Sequence, residues 1–284
     1  MKLVFSLLFI FLAPALTYSC DEHGKTGILP KNDAWIGADS KVRSEITEER
    51  FNAIIDEITD FYKPIFEEKG ANLIVGKRWD DGTVNAYARR AGDDWHIVMF
   101  GGLARHVETT EDGFALVVCH ELGHHIGGSP IKGSSWASNE GQSDYWATLK
   151  CFRNYVQNHD NDEIVAGLDV PEIVSNQCDS DFEDVDRRLI CKRSAMGGLS
   201  LGRLLASFNG DEIAFDTPSD SVVTTTYNAH PKAQCRLDTY YQGSLCAISH
   251  DSDVDDEDAT IGTCNRVENH ESGLRPLCWF KPQE

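Results

Sequence analysis

"VVCHELGHHIGG", residues 117–128, sets Cys119, His120, Glu121, His124 and His125 in an apolar run that closes on two glycines. Valine and leucine at helical spacing, followed by Gly127 and Gly128, predict a helix that stops there. Upstream, Thr109 with Asp112 reads as the capping box that starts it. On such a helix His120 and His124 lie one turn apart and about 40° from each other, so both imidazoles can reach one metal ion. Glu121 stands between them, off the metal but within reach of a water bound to it. Zinc lowers the pKa of that water toward about 7, and a carboxylate can take its proton and pass it to a leaving amine. His125 is turned about 100° from His124 and reads as a helix-end or supporting residue.

H-E-x-x-H by itself also describes a buried helix with satisfied histidines, so the third ligand decides. The extended pattern H-E-x-x-H-x-x-G-x-x-H needs histidine at 130, where this chain has Pro130. The next helical stretch, "SNEGQSDYWATLKC" (138–151), offers Glu140, with Asp144 on the same face four residues on. Glu140 suits the third ligand, and Asp144 suits the acceptor that fixes the free N–H of a ligand histidine. The rival is a solvated helix face. Cys119 could ligate only by distorting its helix, and a bond to Cys151 would tie the two ligand-bearing helices together.

The chain has 284 residues and a formal charge of -20. Lys2, the apolar run Leu3–Leu12 and the small residues after it read as a secretory signal over 1–19, too short for a membrane span. Cys20 sits where lipoproteins carry their anchor, though "LTYSC" sets leucine one position early, so lipidation and plain cleavage near Ser19 both stay open. The strong negative charge excludes nucleic acid and anionic membrane surfaces as partners. Any membrane attachment would come through Cys20.

The other eight cysteines, Cys119, Cys151, Cys178, Cys191, Cys235, Cys246, Cys264 and Cys278, form an even set without C-x-x-C, which predicts disulfides in an oxidising compartment. Cys235 with Cys246 and Cys264 with Cys278 are the expected local pairs.

Residues 20–43 read as an N-terminal arm or tether, 44–237 as the metal-bearing domain and 238–284 as a cysteine-rich extension made of loops. A helix is expected from Ser44 that falters near Pro64. "ANLIVGKRW" follows as a strand, then "VNAYARR" and "WHIVMF" as a hairpin across "AGDD". "LARHVETTED" reads as helical and "GGLSLGRLLASF" as a short buried helix. "DSDVDDED" (251–258) lacks the glycine and closing glutamate of a calcium loop and reads as a solvated acidic loop.

Five blocks in order resemble the gluzincin metallopeptidases, most closely the group containing HtpX, BepA and the CAAX prenyl proteases. They are "VNAYA", "WHIVMFGGL", "EDGFALVVCHELGHH", "EGQSD" and "HPKAQCRL", between about residues 84 and 237. The membrane helices of that group have no match, so the likeness is to its soluble periplasmic branch. The resemblance implies an α+β, zincin-like (minigluzincin) fold with a small sheet, an active-site helix and a third-ligand helix. It implies Zn2+ held by His120, His124 and Glu140, with Glu121 as general base and acid. Asn85 and Ala86 would lie on an edge strand that binds an extended or unfolded polypeptide through main-chain bonds. His230 would donate to the oxyanion or plug the metal as a fourth ligand, with Arg236 as its companion near Glu140. The pattern departs here: one proline follows the histidine, Cys235 intervenes and Leu237 replaces isoleucine.

The expected function is a zinc-dependent endopeptidase, exported to the periplasm, anchored as a lipoprotein or secreted. A self-inhibited or weakly proteolytic assembly or quality-control factor with the same zinc fold is the alternative.

Overall fold

The computed structural model describes residues 16–18, 27–133 and 135–282. The signal reading, apart from the backbone of 16–18, and Cys20 lie outside the described residues. The fold is α+β. Helix α1 (Glu48–Glu68) is capped by the Thr47 hydroxyl, which accepts from the Arg50 N–H, and Glu48 and Glu49 favour the positive end of its dipole. Its buried stripe is Phe51, Ile54, Ile55, Ile58, Tyr62 and Phe66. The expected break at Pro64 does not occur. Phe66, beyond the proline, is fully buried and stacks edge-on against Trp95 and His125, so tertiary packing holds the last turn.

Strands β2 (Asn72–Arg78), β3 (Ala86–Ala91) and β4 (Asp94–Phe100) make a mixed sheet in which β4 lies parallel to β2 and antiparallel to β3. Gly92, at φ +62, takes the first position of the two-residue hairpin loop, where a primed turn needs glycine. β1 (Leu16–Tyr18) adds three residues antiparallel to β3.

The helical stretch expected after Gly102 shrinks to one turn, α2 (Gly101–Ala104). Helix α3 (Glu111–Ile126) starts one residue later than the capping box predicted: Thr110, not Thr109, accepts from the Gly113 N–H. Glu111 and Asp112 instead pair with Arg50 and Arg193. Every side chain of α3 from Gly113 onward is buried, as a helix that is apolar all round requires. It packs on α1, on the sheet and on the helices that follow.

Those are α4 (Glu140–Trp146), a π-helical turn at Ala147–Cys151, α5 (Phe152–Val156), α6 (Asn161–Ala166), α7 (Glu172–Asp181), α8 (Val185–Ser207) and α9 (Ala233–Leu245). The short helix read in "GGLSLGRLLASF" is the second half of the 23-residue α8. The last fifty residues are not only loops, because α9 runs across position 237.

Cys119–Cys151 ties α3 to the helix after it, and Cys178–Cys191 ties α7 to α8. The two local pairs expected near the C-terminus are wrong: the bonds are Cys235–Cys278 and Cys246–Cys264. The final coil returns beneath α4, where Trp279 is fully buried and bonds to Thr239, and this return brings Cys278 to α9. Four disulfides fit an oxidising, exported setting. Among the described residues no helix is long and apolar enough to cross a membrane.

Residues 27–36 are no loose tether. They run along 82–86, with Ile28 bonded to Ala86, Ala34 to Val84 and Ile36 to Gly82, and buried Arg105 grips the Ile36 carbonyl.

Candidate metal centre

α3 brings His120 and His124 to its inner face, and α4 faces them from across a close helix contact. A Cβ on Gly123 would lie 3.2 Å from Ser143, and one on Gly141 would fall 2.2 Å from the Trp279 ring. Glycine at both points lets α4 sit tightly between α3 and the C-terminal coil. The loop between the helices is pinned at both ends: Ser138 N–H donates to the His124 carbonyl, and the Gln142 amide donates to Gly127. Asn139 caps α4 by accepting from the Gln142 N–H at 2.8 Å. Glu140 is therefore the first residue of a fixed helix.

The result is one group of ligand atoms from His120, His124 and Glu140, all within 4.8 Å of one another and all buried. His120 Nε2 lies 3.3 Å from Glu140 Oε2, and His124 Nε2 lies 3.8 Å from Glu140 Oε1. Bonds of about 2.0–2.1 Å to a tetrahedral zinc ion imply roughly 3.3–3.5 Å between ligand atoms; the His120–Glu140 distance of 3.3 Å matches this, and the His124–Glu140 distance of 3.8 Å is longer. The opposite imidazole nitrogens are both held. His120 Nδ1 bonds Asp144 at 2.7 Å, and His124 Nδ1 meets the Ser138 carbonyl at 2.8 Å and the Ser143 hydroxyl at 3.0 Å.

Both Nε2 atoms, both Glu140 oxygens and both Glu121 oxygens are buried without a hydrogen-bond partner. An unsatisfied buried polar atom costs about 1–3 kcal/mol, so the gathering of the His120, His124 and Glu140 atoms within 4.8 Å of one another is unfavourable unless a cation joins them. Two imidazoles and a carboxylate suit zinc among the common divalent ions.

Burial depresses His120, but Asp144 outweighs it and raises the imidazole to about 9. His124, without a carboxylate on its Nδ1, is lowered by burial to about 4. Burial also opposes ionisation of Glu140, yet the imidazoles of His230, His124 and His120 together hold its carboxyl well below the usual range. Burial outweighs the nearby His120 imidazole at Glu121 and pushes its carboxyl up to about 8.

Asp144 is the hub behind the ligands. Besides His120, it takes a bidentate pair from Arg236 at 2.6 and 2.7 Å and a bond from the Tyr240 hydroxyl at 2.5 Å. These partners hold Asp144 ionised against the cost of its burial. Arg236 hydrogen-bonds Asp144, Ile28 and Tyr240, and the Glu140 charge also acts on it. His230 Nε2 sits 3.6 Å from Glu140 Oε2 and bonds the Gly27 carbonyl at 2.6 Å. Asn85 and Ala86 lie at the head of β3, Asn85 fully buried and both bonded to residues 28 and 29.

His125 supports the helix end, stacked between Trp95 and Trp136, with Arg90 laid over both indoles. The acidic loop 251–258 is a docked surface turn: Ser129 N–H donates to the Asp255 carbonyl, and Asp255 caps its own turn. Sequence reasoning missed Tyr240, whose i+4 spacing from Arg236 was a usable signal, and Lys132, which lies 3.7 Å from Glu140 at the rim. No family model, no curated protein and no solved structure matches the chain.

Proposed function

We propose that the chain is a zinc-dependent endopeptidase with a zincin-like fold, as its likeness to the gluzincins implies. The observation that carries this reading is the convergence of partnerless buried atoms of His120, His124 and Glu140 on one point while the other imidazole nitrogens are anchored. Zinc bound there supplies Lewis acidity and a water acidic enough to react near neutral pH.

The chain's own residues do the rest. Glu121 is buried next to His120 on α3, and its raised proton affinity suits a group that takes a proton and returns it to the leaving amine. His230, already bonded to a carbonyl oxygen, is placed to donate to the oxygen of a bound peptide as charge grows there. Asp144 and Arg236 orient His120, which keeps its Nε2 directed at the metal. Asn85 and Ala86 align an extended peptide by backbone bonds.

The test is proteolysis of an unfolded protein by the metal-loaded chain, with and without chelator, beside Glu121→Gln. Cleavage that stops with chelator and with Glu121→Gln supports the reading. A cellular phenotype that survives Glu121→Gln would instead identify a non-proteolytic assembly or quality-control factor. Export to a periplasm-like compartment belongs to the same proposal and rests on the disulfides and the N-terminal sequence.

A further inference from the structure

Asn85 and Ala86, read as the peptide-binding strand, and His230 and Arg236, read as the oxyanion donor or metal plug and its companion, all close on three consecutive residues of the chain itself. The Ile28 N–H donates to the Ala86 carbonyl at 3.1 Å. Leu29 pairs with the side-chain amide of Asn85 through its N–H at 3.1 Å and its carbonyl at 3.2 Å. The Gly27 carbonyl accepts from His230 at 2.6 Å, and the Ile28 carbonyl accepts from Arg236 at 2.5 Å. The segment is a bend, closed by the Gly27 N–H donating to the Leu29 carbonyl at 3.1 Å, and it is held by one main-chain bond to β3 and by the side chains of Asn85, His230 and Arg236. The side chains agree: Ile28 is 2% exposed and Leu29 1%. Position 27 admits only glycine, because a Cβ there would fall 1.7 Å from the Ala86 carbonyl oxygen.

We propose that Gly27–Leu29 is a resident occupant of the peptide cleft and keeps the protein latent until a peptide of the same kind, glycine followed by two aliphatic residues, displaces it. The identity of the cleft as a substrate site rests on the peptidase reading; occupancy and exchange of the arm do not. An occupant tethered to its own site acts at an effective concentration on the order of millimolar, which shuts out free peptides that bind at micromolar levels. His230, 3.6 Å from Glu140, brings the Gly27 carbonyl to the rim of the metal cluster, so the same segment that fills the cleft also engages the donor nearest the ligands.

Gly27→Val tests this in the full chain without altering any residue of the cleft wall, because the added side chain meets the Ala86 carbonyl and drives the arm out. The probe is a fluorescein-labelled peptide, GKTGILPK, copying residues 24–31. The variant is expected to bind it at least about tenfold more tightly than the wild type does, since the competent fraction of the cleft rises. Cleavage of an unfolded protein should rise by a similar factor. Equal peptide binding by the two folded proteins overturns the proposal.

Should Gly27→Val not fold, hydrogen exchange on the wild type decides. Millimolar GKTGILPK should speed exchange at the Ile28 amide at least about tenfold if the arm gives way, and an unchanged rate overturns the proposal. Tighter binding by the variant with no cleavage by either protein would keep the arm's role and remove the peptidase reading. Equal binding with robust, equal cleavage would do the reverse.

Discussion

α3 with α4, and the coil from Cys246 to the C-terminus, are held by opposite means. α3 is buried from Gly113 onward and is fixed by packing, with His120 and His124 turned to one cluster with Glu140. The C-terminal coil has little regular structure and is fixed by Cys235–Cys278, Cys246–Cys264 and buried side chains that include Arg275, Trp279 and Phe280. Yet the coil touches the centre: Trp279 fills the space left by Gly141, the neighbour of Glu140. The candidate ligands thus sit on the helices, and part of the rigidity around Glu140 comes from the periphery.

Glu121→Gln should give the largest effect on the helix side, a loss of about 10²–10⁴ in the rate of peptide cleavage with one zinc retained. Kinetics with metal analysis checks it, and activity near wild type would remove Glu121 from its role.

Asp144→Ala tests the hub. It leaves Arg236 buried without its partner, which should cost about 3–5 kcal/mol in urea unfolding. It should also weaken zinc binding about 10–100-fold in chelator competition. A stable variant with unchanged affinity would break the link between Asp144 and His120.

On the coil side, replacing Cys246 and Cys264 together by serine opens a loop with a sequence separation of 18 and should cost about 3 kcal/mol. Zinc stoichiometry should not change. Loss of zinc in this folded double variant would show that the coil positions ligands as well as supporting them.

The smallest effect is a pH dependence. Burial lowers the Lys150 amine to about 8, so above that pH the folded chain releases a proton that the unfolded chain keeps until about 10. Stability should therefore rise between pH 8 and 10, with the full penalty present below 8. The gain should be on the order of 1 kcal/mol, and Lys150→Met should flatten it in denaturant titrations across that range.

The centre of the molecule was legible because its information is local. His120 and His124 are related by one helical turn, as are Glu140 and Asp144, and the hairpin declares itself through Gly92. The bond between Cys119 and Cys151, considered in the sequence as a tie between the two helices, is present, though its partners are 32 residues apart. What escaped depends on distant partners. Pro64 was read as a break because the burial of Phe66 against Trp95 is not visible along the helix. The pairing of Cys235 with Cys278 depends on the return of the coil under α4. The arm shows no periodicity because what holds Gly27–Leu29 lies near residues 85, 230 and 236.

The most direct test of the account is the metal content of the purified, disulfide-intact protein after zinc loading and desalting, measured beside His124→Ala and Glu140→Ala. One zinc per wild-type chain, and essentially none in either variant that remains folded, is the predicted result. A folded wild type that retains no zinc, or a folded Glu140→Ala that binds it as tightly as the wild type, would contradict the central claim.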